Sequence, residues 1–178
     1  MRIFIAALLP HEILTHIGSY QDSLKDRIQG VKWESRNKLH ITLKFLGDID
    51  EGRLIEVNNA VAGAVSHRSR ISLTITHFGA FPNLTRPKVL YAGFGDCDAI
   101  VDLQNSIDTR LAEIGFEKDK RKFIPHVTIA RVKSKIKLTS PVPIIEKKDF
   151  QIEKIAVVRS FVDSKGSSYK NLSEYELI

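Results

Sequence analysis

Two stretches of this 178-residue chain follow one plan: a strand, an amphipathic helix, and a second strand that opens on histidine. The first occupies residues 2–46 and the second residues 88–131. His40 stands 38 positions after Arg2, and His126 stands 38 positions after Lys88. A strand and a one-sided helix cannot close a core alone, so two such units facing each other predict two similar lobes with a cleft between their sheets. No low-complexity linker separates them, so residues 1–178 are expected to form one domain of two interleaved lobes.

The helical signals are apolar residues three and four apart. Ile13, Ile17, Tyr20, Leu24 and Ile28 predict a helix over about 11–29 that stops at Gly30. Ile100, Leu103, Ile107, Leu111 and Ile114 predict another before Gly115. Leu54, Val57, Val61 and Val65 suggest a third over about 51–65, with Asp50 as its N-cap. Strands are expected at 2–9, 31–33, 40–46, 71–78, 89–94, 127–130, 150–162 and 169–177, the last two forming a hairpin around 163–168. Residues 139–148, with Pro141 and Pro143, read as a loop or edge segment. The longest unbroken apolar run, Ile3 to Leu9, is far short of the roughly 18 residues of a membrane span. It meets Pro10-His11-Glu12 rather than a small-residue cleavage site, so it reads as a first strand and not as a leader. Cys97 stands alone, which leaves no intrachain disulfide and no cysteine-based metal cluster; the cytoplasm is the default location. Nothing signals assembly, so a monomer is the default state.

Twenty-seven basic and 21 acidic residues give a net charge of +6, which favours an anionic partner. The excess is concentrated. Between residues 117 and 137 stand Lys118, Lys120, Arg121, Lys122, Arg131, Lys133, Lys135 and Lys137, against only Glu117 and Asp119. Alone, such a run reads as a solvated loop; flanking His126, it also suits a nucleic-acid surface.

The two strand openings are His40-Ile41-Thr42-Leu43-Lys44-Phe45 and His126-Val127-Thr128-Ile129-Ala130-Arg131. Strict alternation puts His40 with Thr42, and His126 with Thr128, on one face, and sends Ile41, Leu43 and Phe45 to the core. By the same parity Arg131 turns away from Thr128 unless a bulge or the strand end swings it to the phosphate, and His77, which continues the face of Ile71, Leu73 and Ile75, reads as a core or a cleft residue, with the core favoured. Phe45 and Phe123 are aromatic candidates for stacking a base, with Phe45 assigned to the core by parity. Two imidazoles and two hydroxyls in one cleft suit phosphodiester cleavage: a neutral imidazole takes the proton of water and an imidazolium protonates the departing oxygen. The threonines are placed to donate to the non-bridging phosphate oxygens. A structural role for each histidine, or a zinc site, is the rival reading, but neither histidine has an acidic or histidine neighbour at ligand spacing, so no metal and no cofactor are expected.

These motifs, with the opening Arg2-Ile3-Phe4-Ile5-Ala6, Trp33, the run Asn37 to Gly47, Arg86-Pro87-Lys88-Val89-Leu90-Tyr91, Pro125, Ser160, Gly166 and Tyr169, resemble the two-histidine (2H) phosphoesterases. The similarity is greatest to the RNA 2′,3′-cyclic phosphodiesterases of bacteria and archaea, and runs nearly end to end. The resemblance implies a bilobal α+β fold of two pseudo-symmetric lobes, each an antiparallel sheet with helices packed outside and an active-site cleft between the sheets. It implies metal-free hydrolysis of a terminal 2′,3′-cyclic phosphate to a 2′-phosphate, with His40 as proton donor, His126 as proton acceptor, and Thr42, Thr128 and Arg131 on the substrate. From the residues alone, acid and base are interchangeable. The implied partner is RNA ending in a cyclic phosphate, tRNA fragments among them. Three alternatives stay open: a 2′–5′ ligase of tRNA halves, a phosphodiesterase acting on a small cyclic nucleotide, and a module that binds RNA ends without turnover.

Overall fold

The computed structural model describes residues 1–136, 138, 142–163 and 166–178. In chain order the elements are β1 (Arg2–Leu8), α1 (His11–Lys25), β2 (Val31–Trp33), β3 (His40–Asp48), α2 (Leu54–Val65), β4 (Ile71–Phe81), β5 (Val89–Phe94), α3 (Asp98–Glu113), β6 (His126–Val132), β7 (Lys148–Ile152), β8 (Lys154–Asp163) and β9 (Gly166–Glu176). The strands pair in the order β7-β4-β5-β6-β3-β1-β8-β9, with β2 added to β6. Every pairing is antiparallel.

The two lobes are the two halves of this order. β3-β1-β8-β9 and β6-β5-β4-β7 meet at a single registered pair, Ile41 opposite Val127. Each half places its His-x-Thr strand at that join. Strand succession alone leaves open how the units face each other; the join brings the two motif strands side by side.

Two of the helices, α1 and α3, cross between halves. Tyr20 of α1 packs edge-on against Phe78 of β4, and Gln21 reaches the Ile129 carbonyl of β6, so α1 covers the half that its own strand β1 does not belong to. In turn α3, which follows β5, docks on β3 through Asp108 and Lys44. Asn58 of α2 accepts a hydrogen bond from Tyr175 of β9. All three helices bury their apolar stripes in one core with Ile3, Ile5, Ile41, Leu43, Val127 and Ile129. Among the described residues, a second and smaller buried apolar cluster, Phe4, Ala6, Ala156 and Val158, lies on the opposite sheet face with Leu8 and Tyr169 packed against it.

Helix α3 ends as its sequence predicts. Gly115 adopts a left-handed φ of 91°, its N–H donates to the Ala112 carbonyl and that of Phe116 to the Leu111 carbonyl, the paired bonds of a Schellman cap. Helix α1 ends earlier than expected, at Lys25, and α2 begins at Leu54 after a single 3-10 turn. The apolar run 150–162 is not one strand. It divides at Glu153 into β7, which pairs with β4, and β8, which pairs with β1, so the chain passes there from one half to the other. The β8–β9 hairpin forms, while Ser164, Lys165, Lys137 and residues 139–141 lie outside the described residues.

Candidate active site

Because β3 and β6 run antiparallel through Ile41 and Val127, His40 lies on the side of Thr128 and Thr42 on the side of His126. The four polar side chains share the helix-free face at the join, where none is fully buried. Regular alternation places these four, and then it fails at the same point in both motifs. Opposite β1, Ile5 pairs with Lys44 and Ala6 with Thr42, so Leu43 is an extra residue. Opposite β5, Leu90 pairs with Ala130 and Tyr91 with Thr128, so Ile129 is extra. Each is a β-bulge directly after the threonine, and it reverses the parity of the residues that follow, in β3 as far as a second extra residue at Leu46.

Such bulges correct two expectations, for Phe45 and His77, and meet the condition set for Arg131. Phe45 is 64% exposed rather than in the core, with its ring 5.7 Å from Phe4 on the cleft face. Arg131 swings to the histidine side, where its charge acts on both imidazoles. In β4 a register shift between Ile75 and His77 puts His77 outside the core as well. Its ring lies across Gly93, where an added Cβ would sit 2.3 Å from Nε2, so glycine is required there for the close approach. Phe123 packs partly buried against the core.

Both imidazoles are held the same way. His40 Nδ1 is 2.6 Å from the Lys38 carbonyl and His126 Nδ1 is 2.8 Å from the Ile124 carbonyl. A carbonyl only accepts, so Nδ1 carries the proton in each ring and Nε2 is the reactive nitrogen. In neutral His40, Nε2 accepts from the Thr42 hydroxyl at 3.0 Å. Aromatic rings wall both sites: Phe4 stacks on His40 at 4.9 Å with Tyr169 edge-on at 5.5 Å, and Phe81 and Tyr91 flank His126 at 4.9 and 5.5 Å. Burial pushes both imidazoles below their usual pKa. For His40 the Lys38 hydrogen bond and the Glu34 carboxylate oppose that shift, while His126 and Arg131 add to it. For His126 the Ile124 bond opposes and Arg131 adds.

Comparison with known proteins gives the family and the fold. Residues 8–91 and 96–169 each match the family described as LigT like Phosphoesterase. The chain belongs to that family. It is 31% identical to the RNA 2′,3′-cyclic phosphodiesterase of Methanocaldococcus jannaschii over 98% of this chain and 100% of the relative. Identity to the enzyme of that name from Methanothermobacter thermautotrophicus is 28%, over 99% of both chains. Among solved structures, TT0787 of Thermus thermophilus superposes with a TM-score of 0.85 at 25% identity, covering 99% of this chain and 98% of that one. LigT of E. coli shares the fold, with a TM-score of 0.82 at 20% identity over 99% and 96% of the two chains. The two matched segments of the LigT-like family each contain one His-x-Thr motif, in keeping with the internal repeat.

Three residues that escape sequence reasoning surround the candidate site: Glu34 on Arg131, Phe81 against His126, and Gln21, which ties Glu34 to Ile129. None has a periodic signal; Glu34 follows a three-residue strand, and Gln21 is a polar position in an amphipathic helix. The lowered imidazole pKa values also have a folding consequence. As pH falls through about 6.5, the unfolded chain takes up protons that the folded site resists, so stability is expected to fall there. Thermal melts from pH 8 to 5 check this: the His40→Gln/His126→Gln double variant is expected to show a flatter acid decline than the wild type.

Proposed function

We propose that this phosphoesterase hydrolyses the terminal 2′,3′-cyclic phosphate of RNA to a 2′-phosphate without a metal or other cofactor. The observation that carries the reading is the matched pair of imidazoles, each fixed through Nδ1 to the carbonyl two residues upstream and each presenting Nε2 at the join of the two half-sheets. Water attacks phosphorus as His126 Nε2 takes its proton, the P–O3′ bond breaks, and His40 Nε2–H delivers a proton to the 3′ oxygen. Thr42, Thr128 and Arg131 bind the non-bridging oxygens as charge gathers on them. On reaching the protonated state His40 no longer accepts from Thr42, which frees that hydroxyl to donate to the phosphate. The assignment of donor and acceptor rests on the family resemblance. The names of the relatives support the substrate, and so do the exposed Lys118, Lys120, Arg121 and Lys122 on the segment leading to His126.

The test is an oligoribonucleotide ending in 2′,3′-cyclic phosphate, incubated with the protein in excess EDTA, with the end group identified. Multiple turnovers to a 2′-phosphate are the expected result. An intact ring, or a 3′-phosphate product, overturns the proposal; joining to a 5′-hydroxyl RNA under the same conditions would replace it with the ligase reading.

A further inference from the structure

A carboxylate beside a phosphate site works against binding, and Glu34 is such a carboxylate. Its side chain is 16% exposed, and Oε1 accepts a hydrogen bond from Arg131 Nε at 3.3 Å. Its place is set by the backbone. The Glu34 N–H donates to the Ile129 carbonyl at 2.9 Å, and Gln21 Nε2 donates both to the Glu34 carbonyl at 2.8 Å and to that of Ile129 at 2.9 Å. Ile129 is the bulge residue that turns Arg131 to the cleft face. One amide from α1, 3% exposed, therefore ties the bulge and the end of β2 into a single unit, and Glu34 and Arg131 project from it.

The groups around His40 define what this carboxylate does. From β1 comes the Phe4 ring, from β9 the Tyr169 ring edge, from the turn before β3 the Lys38 carbonyl, and from β6 the charges of His126 and Arg131. Glu34 is the anionic group acting on His40 and favours its imidazolium; the two cationic or ionisable neighbours from β6 oppose it.

We propose that Glu34 is a positioning residue that holds Arg131 on the histidine side of the sheet in the free enzyme and yields it to the phosphate when substrate binds. This rests on the two-histidine reading above and deepens it. The exchange replaces one monoanion on the guanidinium by another, the phosphodiester for the carboxylate, and leaves Glu34 to favour the protonated form of His40 that an acid requires. Glu34 thus costs affinity and supports proton donation, a combination that no purely structural role produces.

Glu34→Gln separates the two effects, since it keeps the size and an acceptor for Arg131 but removes the charge, and the backbone bonds that set the bulge do not depend on the side chain. Two readouts need no turnover. Inorganic phosphate, measured by calorimetry at pH 7, is expected to bind about threefold or more tightly, as competition for Arg131 weakens. The His40 imidazole, followed by NMR in the free protein, is expected to titrate at lower pH than in wild type. In turnover, the alkaline limb of kcat/KM is expected to move to lower pH, because His40 loses its proton earlier. Unchanged or weaker phosphate binding overturns the proposal, and so does an unmoved His40 titration. Failure of the two-histidine reading is distinct: the wild type would then leave the cyclic phosphate intact while the phosphate and NMR shifts still appear.

Discussion

Replacing His126 with alanine is expected to lower kcat for cyclic-phosphate opening by about 10³-fold, and His40→Ala by a similar factor. In the first variant no group takes the proton of the attacking water; in the second the 3′ oxygen leaves as an alkoxide. In the proposed mechanism the two imidazoles serve one transfer as a unit, so the double variant is expected to be little worse than the weaker single one, not a million-fold worse. Because both rings are hydrogen-bonded through Nδ1, which leaves Nε2 for the proposed proton transfer, glutamine at either position is expected to restore bulk and polarity but not the proton. Steady-state kinetics on a defined oligonucleotide check this. Retention of more than about a tenth of the activity in either single variant would show that the corresponding imidazole is not the proton carrier.

These two histidines are legible in the amino-acid sequence because a strand motif repeated at equivalent points is a strong signal, and because the side chains up to the threonine obey simple alternation. Beyond the threonine alternation misleads. An extra residue in a ladder leaves no mark in the hydrophobic pattern: Leu43-Lys44 and Ile129-Ala130 are adjacent buried pairs, which a period of two cannot accommodate. Parity therefore assigns Phe45 to the wrong face, and the placement of Arg131 hangs on a bulge that only the pairing with β5 reveals. The repeat itself is also inexact. His40 stands opposite Leu8 and His126 opposite Gly93, so the second unit is one residue longer between its paired positions, although the two spacings counted from Arg2 and Lys88 agree. The division of 150–162 at Glu153 is hidden for another reason: both strands are apolar enough to read as a continuous run, and the change of partner strand is tertiary. Glu34 acquires its role only through contacts with β6 and α1, far away in sequence.

The same bulge that exposes Phe45 buries a lysine, and the largest stability effect is expected there. Lys44 is 3% exposed at its side chain, with Nζ 2.6 Å from Asp108 of α3 and 3.1 Å from Asp119, and it donates to the Glu117 carbonyl at 2.7 Å. Lys44→Met leaves Asp108, 12% exposed, without its cation, and a buried carboxylate so orphaned costs about 3–5 kcal/mol. For a chain of this length that corresponds to a fall in Tm of roughly 10 °C. The expected remedy is the partner change: Lys44→Met/Asp108→Leu removes both charges and should recover most of the lost stability, because a well-packed apolar pair often equals a buried ion pair. Activity should not recover with it. Lys44 also fastens residues 117–119, at the start of the basic segment that leads to His126, and the apolar pair cannot replace its bonds to the Glu117 carbonyl and to Asp119. The double variant is therefore expected to melt near the wild-type temperature but to show a raised KM for RNA with kcat little changed. Thermal denaturation and steady-state kinetics on the three proteins check both halves; a double variant with wild-type KM would mean that this lysine serves the fold of β3 and α3 alone.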